Sequence, residues 1–251
     1  MNSARPVALV TGSARRLGAT IARTLHAAGY DLALHCRHSR GEMDALAALL
    51  EQARPGSTFV QQAELADFDR LPELVAHAIG RFGRLDALVN NASAFAPTPI
   101  GTTTPAQWDA LFASNARAPF FLAQAAAPHL AATRGAIVNL ADIYGERPLR
   151  QHTVYCMAKA ALLMLTKSLA LELGPQVRVN AVSPGAILWP DHAGQEQGGD
   201  TERQQQLLAR TPLGRTGTPE EVAEAVRWLL QDAHYSTGQV LHLDGGRLLD
   251  A

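Results

Sequence analysis

The sequence predicts an α/β fold in which a parallel sheet is doubly wound by helices. Two observations carry this: short apolar runs alternate with longer helix-patterned stretches along the whole chain, and a glycine turn joins the first run to the first helix. The runs Val7–Val10, Leu32–Cys36, Phe59–Gln61, Ala87–Val89, Ala136–Leu140, Val177–Ala181 and Val240–Leu243 are the expected strands. Their near-continuous hydrophobicity suits parallel strands buried on both faces. Between them Ala19–Ala28, Glu42–Gln52, Arg70–Phe82, Pro105–His129, Thr153–Leu173 and Pro219–Leu230 have helical apolar spacing. Gly29, Gly174-Pro175 and Thr218-Pro219-Glu220-Glu221 stand where helix ends and starts require them.

The 251 residues suit one α/β domain spanning 1–251. Hydrophobic residues make up 47% and charged residues 18%, enough apolar material for a large core. With 22 Lys and Arg against 23 Asp and Glu, the net charge of −1 gives no footprint for nucleic acid or an anionic membrane. The first apolar run is too short for a signal peptide or a membrane span. Two cysteines, Cys36 and Cys156, build no disulfide framework, and the cytoplasm is the expected compartment. The nine histidines have no paired metal-ligand spacing, so no metal site is expected. The stretch 187–217 breaks the rhythm and reads as a substrate loop or as a flexible surface insertion. Trp189, at its start, either closes over substrate or packs.

The first strand ends in Thr11-Gly12-Ser13-Ala14-Arg15-Arg16-Leu17-Gly18, and a helix follows at once. Such a turn lets backbone N–H groups and the helix dipole meet a pyrophosphate, so a dinucleotide is the expected ligand. The second strand's tip would carry an acid in an NAD enzyme. Here it reads Arg37-His38-Ser39. These side chains can donate to a 2′-phosphate, and Arg15 and Arg16 add positive charge, which favours NADPH. Tyr155 and Lys159 are spaced four apart in an expected helix and share a face. A Tyr beside an ammonium and a nicotinium ring is drawn toward useful acid–base range, so a lowered Tyr155 pKa is expected.

Taken in order, Thr11-Gly12…Gly18, Asn90-Asn91-Ala92-Ser93, Asn115, Tyr155…Lys159 and Pro184-Gly185 resemble the short-chain dehydrogenase/reductase family over essentially the whole chain. The resemblance implies a single Rossmann-type domain with a seven-stranded sheet, hydride transfer at nicotinamide C4, and a homotetramer. It casts Tyr155 as proton donor, Lys159 as the residue holding the nicotinamide ribose, and Asn115 as support for a proton-relay water. Cofactor contacts fall by position on Gly12, Leu17, Gly18, Glu64, Leu65, Asn90, Asn91, Ala92, Ser93, Pro184, Gly185 and Ile187.

Two departures narrow the resemblance to its pteridine reductase branch. Asp142 stands thirteen residues before Tyr155, where most members have Ser, and Arg16 stands where most have Gly. In that branch the residue at Phe95 stacks on the pterin and the one at Ser93 hydrogen-bonds it. Arg16, Asp142, Tyr155 and Trp189 complete the expected substrate contacts. Reducing a ring C=N needs a proton at nitrogen, and an acid bonded to Tyr155 can replenish it, so a coupled Asp142–Tyr155 pair with a raised Asp pKa is expected. A pterin or dihydrofolate is the expected substrate. A carbonyl reductase of the same family, acting on 3-oxoacyl or xenobiotic ketones, is the alternative, and a non-catalytic NADPH sensor is a third.

Overall fold

Seven parallel strands, the inner ones buried from both sides, form the centre of the computed structural model, which describes residues 5–187 and 205–249. They are β1 (Val7–Val10), β2 (Asp31–Cys36), β3 (Thr58–Gln62), β4 (Ala87–Asn90), β5 (Ala136–Leu140), β6 (Arg178–Pro184) and β7 (Val240–Leu243). Their order is β3-β2-β1-β4-β5-β6-β7, so the order reverses between β1 and β4. A crevice at the strand ends of such a switch point is where open α/β sheets take ligands.

The period-two alternation of each strand sorts its side chains between two cores. Ala8 and Val10 of β1 point with Leu32, Leu34 and Val138 into one. Helices α1 (Arg16–Ala27), α2 (Arg40–Ala53) and α7 (Pro219–Gln231) cover that face through Ile21, Leu25, Leu46 and Val226. Val7, Leu9, Leu88 and Ile137 face the other way, beneath α3 (Leu71–Phe82), α5 (Ala118–Thr133) and α6 (Thr153–Leu173). All four residues of β1 are buried, which is why the run carries no polar residue. Although α6 is long and apolar enough to cross a membrane, half of its most apolar stretch is buried inside this fold.

The expected helix Pro105–His129 is two helices. α4 (Pro105–Phe112) opens on a capping box between Thr104 and Gln107, and five residues, Ala113–Arg117, then take π-helical geometry before α5 begins. Asn115 sits in that break, and its Nδ2 donates to the carbonyls of Leu111 at 2.9 Å and Ala94 at 2.8 Å. Its side chain thus uses the carbonyl that an uninterrupted α-helix would give to a backbone N–H. Apolar spacing on either side of the break stays helical, so periodicity does not reveal it. β6 also runs to Pro184, three residues beyond the expected Ala181. Of the expected substrate loop, 188–204 including Trp189 lie outside the described residues, and a short helical stretch occupies 205–209.

Two glycines draw the first turn shut. Gly12 has φ +63°, in the left-handed region. A Cβ on Gly18 would fall 2.2 Å from the Gly12 carbonyl oxygen and 2.5 Å from Asn91 Nδ2. Helix α1 therefore approaches the β1 and β4 tips more closely than any side chain permits. Gly18→Ala should lower stability by about 1–3 kcal/mol, because the obstructing atoms include backbone that cannot turn aside. Urea denaturation with an unchanged midpoint would show that the turn has slack.

Candidate active site

The candidate site residues follow the carboxyl ends of the strands. After β1, the glycine turn leads to α1, whose N-cap Arg15 makes no side-chain capping bond and whose first turn has no acid. The orphan N–H groups of that turn and the helix dipole are thus directed to an anion. After β4, Asn91 Nδ2 donates to the carbonyls of Thr11 at 2.9 Å and Gly12 at 3.0 Å. The backbone N–H groups of Asn91 and Ala92 both donate to Thr11 Oγ1 at 3.0 Å. The two strand tips flanking the switch point are tied into one cradle. A Cβ on Gly12 would lie 2.9 Å from Ala92 Cα, so the cradle fits a phosphate chain lying close over backbone. Asn90 donates to Asn139 at 2.8 Å and leaves its buried Oδ1 without a partner among the described residues.

Arg16 opens α1 with φ +51°, a conformation that costs a non-glycine residue roughly 1–2 kcal/mol. Arg15 pairs with Glu42 at 3.6 Å, and Leu17 packs on the core beside β1. At the β2 and β3 tips the acid and base that sequence sets apart meet, for Arg37 Nε pairs with the Glu64 carboxylate. The pair is largely exposed, so little free energy holds it closed. His38 is exposed, Ser39 precedes α2, and Leu65 is buried. On the far side, Gly185 presses on Asp244, where a Cβ would come within 2.8 Å, and Ile187 packs against the core.

After β5 comes Asp142, whose Oδ1 accepts the Tyr144 N–H at 2.9 Å and so caps the 3-10 turn Ile143–Gly145. Its other oxygen accepts the Tyr155 hydroxyl at 2.7 Å. Burial pushes the Asp142 carboxyl above its ordinary range, against the hydrogen bonds from Tyr144 and Tyr155 and the charges of Lys159 and Arg247. The same causes, burial first and then Asp142, hold Tyr155 well above its ordinary value, with only the Ser93 hydroxyl among the leading causes pulling it down.

Lys159 is not among the leading influences on the Tyr155 hydroxyl. The Lys159 ammonium donates to the Leu140 carbonyl at 2.8 Å and lies 5.8 Å from the Tyr155 ring centre. It is itself pushed down to about 8 by burial, which leaves it mostly charged at neutral pH. Burial and the neighbouring carboxyl favour the protonated phenol.

Ser93 Oγ donates to Asn115 Oδ1 at 2.7 Å, fixing the hydroxyl beneath the loop that carries Phe95. Phe95 is 57% exposed, meets the Tyr155 ring edge-on at 4.8 Å, and stacks on His152 at 4.5 Å. Asp142, Tyr155, Ser93, Asn115 and Phe95 thus form one connected cluster, with Lys159 beside it. Arg37, His38, Ser39, Glu64 and Leu65 stand apart at the β2 and β3 ends. His35 and Arg247 are contacts that sequence reasoning missed. His35 Nδ1 accepts the Gly12 N–H at 3.2 Å, and its other nitrogen reaches the Ala63 carbonyl at 3.1 Å. An inward-facing polar residue in a buried strand is the signal that singles it out.

A nucleotide cradle at the switch point and a buried acid–phenol pair beside it define an α/β oxidoreductase. The family model described as enoyl-(acyl carrier protein) reductase matches residues 12–247. Pteridine reductase 1 of Leishmania tarentolae is 39% identical, with 96% of each chain covered. L-xylulose reductase of Bos taurus is 37% identical, again with 96% of each chain covered. The 3-oxoacyl-(acyl-carrier-protein) reductase of Staphylococcus aureus is 34% identical over 95% of this chain and 96% of its own. The chain belongs to the short-chain dehydrogenase/reductase family, whose reductases use NAD(P)H.

The raised Asp142 carboxyl has a consequence for stability. A carboxyl whose folded pKa exceeds its unfolded one binds its proton more tightly when folded, so its stabilising contribution is present at low pH. That contribution is lost as pH rises from the unfolded value through the folded one. Asp142→Asn, whose amide oxygen can still accept the Tyr144 N–H while its NH2 donates to the Tyr155 hydroxyl, carries no charge and should therefore be more stable than the parent at pH 7–8. The two should converge near pH 3. Denaturation midpoints that differ equally at both pH values would contradict a raised Asp142.

Proposed function

We propose that the chain is an NADPH-dependent pteridine reductase that converts dihydropterins or dihydrofolate to their tetrahydro forms. The observation that carries this reading is the Asp142 carboxyl, bonded to the Tyr155 hydroxyl at 2.7 Å, where most family members have a serine. A serine hydroxyl suffices to polarise a ketone. Reduction of a ring C=N requires a proton at nitrogen, which a buried carboxyl can resupply. The identity to Pteridine reductase 1 supports the same reading.

NADPH, when bound, supplies the hydride to a ring carbon. The residues of the chain supply the proton and the orientation. Tyr155, protonated at neutral pH, gives its proton to the ring nitrogen and recovers one from Asp142. With Asp142 protonated the pair stores two protons, and with Asp142 ionised it stores one. Lys159 holds the nicotinamide ribose, and Asn115 keeps the Ser93 hydroxyl and the relay in place. Phe95 offers its exposed face to the flat pterin, Ser93 and Asp142 hydrogen-bond its polar edge, and Arg16 bridges substrate and phosphates. Trp189, outside the described residues, belongs to the same proposal as a substrate contact. The left-handed backbone at Arg16 supports its part, since an idle arginine there would carry strain that glycine avoids.

For the nucleotide, Gly12, Gly18, Asn91 and Ala92 hold the phosphates, Leu65 and Asn90 border the adenosine, and Pro184, Gly185 and Ile187 border the nicotinamide. Arg37, His38 and Ser39 take the 2′-phosphate, with Glu64 releasing Arg37 to it. The reaction runs in a reducing, cytoplasmic setting, consistent with Cys36 and Cys156 both being free thiols. A homotetramer fits the exposed Trp108 and Phe120 on α4 and α5, and Met164 and Leu171 on α6.

Ketoreductases at 34–38% identity support a second reading, a carbonyl reductase that carries Asp142. Side-by-side assays with dihydrobiopterin, dihydrofolate and a 3-oxoacyl thioester separate the two. NADPH oxidation should be rapid with a pteridine, and Asp142→Ser should reduce it by at least about 100-fold, in the range of a lost proton donor. Turnover of the thioester alone, or full pteridine activity in Asp142→Ser, overturns the proposal. For the cofactor, Arg37→Ala should weaken NADPH binding by about tenfold, as expected for one charge-assisted contact, and leave NADH nearly unchanged. Equal losses with both nucleotides would remove Arg37 from the 2′-phosphate site.

A further inference from the structure

We propose that Arg247, acting through Tyr144, is a positioning residue for the Asp142–Tyr155 pair. The inference rests on that pair being the proton-delivery device. The connection begins in the turn after β7. Asp244 Oδ1 accepts the Gly246 N–H at 2.9 Å and its Oδ2 accepts the Leu248 N–H at 2.7 Å. Gly245 and Gly246 both have positive φ, and a Cβ on Gly246 would lie 2.9 Å from Pro212 Cγ. Arg147 Nη1 donates to the Arg247 carbonyl at 2.9 Å. The backbone of Arg247 is fixed from three sides, so its side chain leaves from a defined place.

That side chain runs to the turn that caps Asp142. Arg247 Nη2 donates to the Tyr144 hydroxyl at 3.2 Å, and its guanidinium carbon lies 5.8 Å from the Tyr144 ring centre. Tyr144 in turn donates its backbone N–H to Asp142 Oδ1 at 2.9 Å, the oxygen that does not face Tyr155. One side chain thus pins the residue that orients the carboxyl. Arg247 Nε is buried without a hydrogen-bond partner, and among the described residues no carboxylate lies within ion-pair distance of the guanidinium. The nearby Glu146 is already paired with His242 at 2.6 Å. The arginine charge therefore has Asp142 as a buried group to act on.

The groups acting on Asp142 come from three elements. Tyr155 and Lys159 act from α6, Tyr144 from the turn after β5, and Arg247 from the turn after β7. Lys159 is committed to the Leu140 carbonyl and, in the proposed function, to the ribose. Arg247 touches neither, so it sets the carboxyl's background charge independently of the nucleotide. Its direction is fixed by sign, because a cation nearby favours the carboxylate and removing it favours the acid.

The test reads Asp142 directly. Protein with 13C-labelled aspartate carboxyls is titrated by NMR, and Asp142→Asn assigns the resonance. Arg247→Met should move the Asp142 midpoint upward by roughly 0.5–1 pH unit. Tyr144→Phe, which removes the tether but leaves the cation, should move it in the same direction. The double variant should shift it no further than Arg247→Met alone, as expected of two residues on one route. A midpoint unmoved in Arg247→Met, or additive shifts in the double variant, overturns the proposal. Should Arg247→Met not fold, Tyr144→Phe alone decides it, since it deletes a single hydroxyl. The titration uses no substrate, so a failed pteridine assay and a failed Arg247 role give separate signatures.

Discussion

Burial of a parallel sheet on both faces is the constraint from which the rest of this molecule follows. Strands covered above and below by helices can show a polar side chain to a ligand only where they end. Thr11 and Gly12 follow β1, Arg37 follows β2, Asn90 and Asn91 close β4, Asp142 follows β5, and Gly185 follows β6. Each lies at the carboxyl end, and the switch between β1 and β4 opens the crevice there. A chain of this topology gathers its chemistry at one rim without any side chain having to cross the core.

The same burial governs the electrostatics. Asp142, Tyr155 and Lys159 are all withdrawn from water, and desolvation is the leading influence on each. It raises both acids and lowers the base, so all three move toward their neutral forms. The pair of acids therefore keeps protons that exposed groups would release, while Lys159 stays close to its point of charge loss. A buried ammonium with one N–H on a backbone carbonyl keeps further donors for a ligand hydroxyl. Polar groups so arranged lower the stability of the folded chain, a cost that is common where a site is poised for chemistry.

Much of this was legible in the sequence, for identifiable reasons. Strands with no polar residues, such as Val7–Val10, have only one compatible environment, and a glycine pair around a helix start has few uses. Tyr155 and Lys159 are four apart in one helix, so helical geometry alone brings them together. The π-helical break at Ala113–Arg117 was hidden because one extra residue per turn leaves the apolar spacing on both sides intact. The Arg37–Glu64 pair joins the tips of two neighbouring strands, and only the register of β2 on β3 brings it together. The surroundings of the Tyr155 hydroxyl were not legible, because a lysine four residues away says nothing of what else packs around it.

Arg247 belongs with the features that sequence could not reach, since 103 residues separate it from Tyr144. The turn that holds it follows β7, and the turn that holds Tyr144 follows β5, with β6 between them. Contact across that gap requires both turns to lean over the end of β6, where Gly185 lets Asp244 come close. The glycine after β6 thus shapes more than its own turn. By admitting the Asp244 backbone it lets Arg247 of that turn reach Tyr144 after β5, so packing at one strand end bears on the residues around the acid at another.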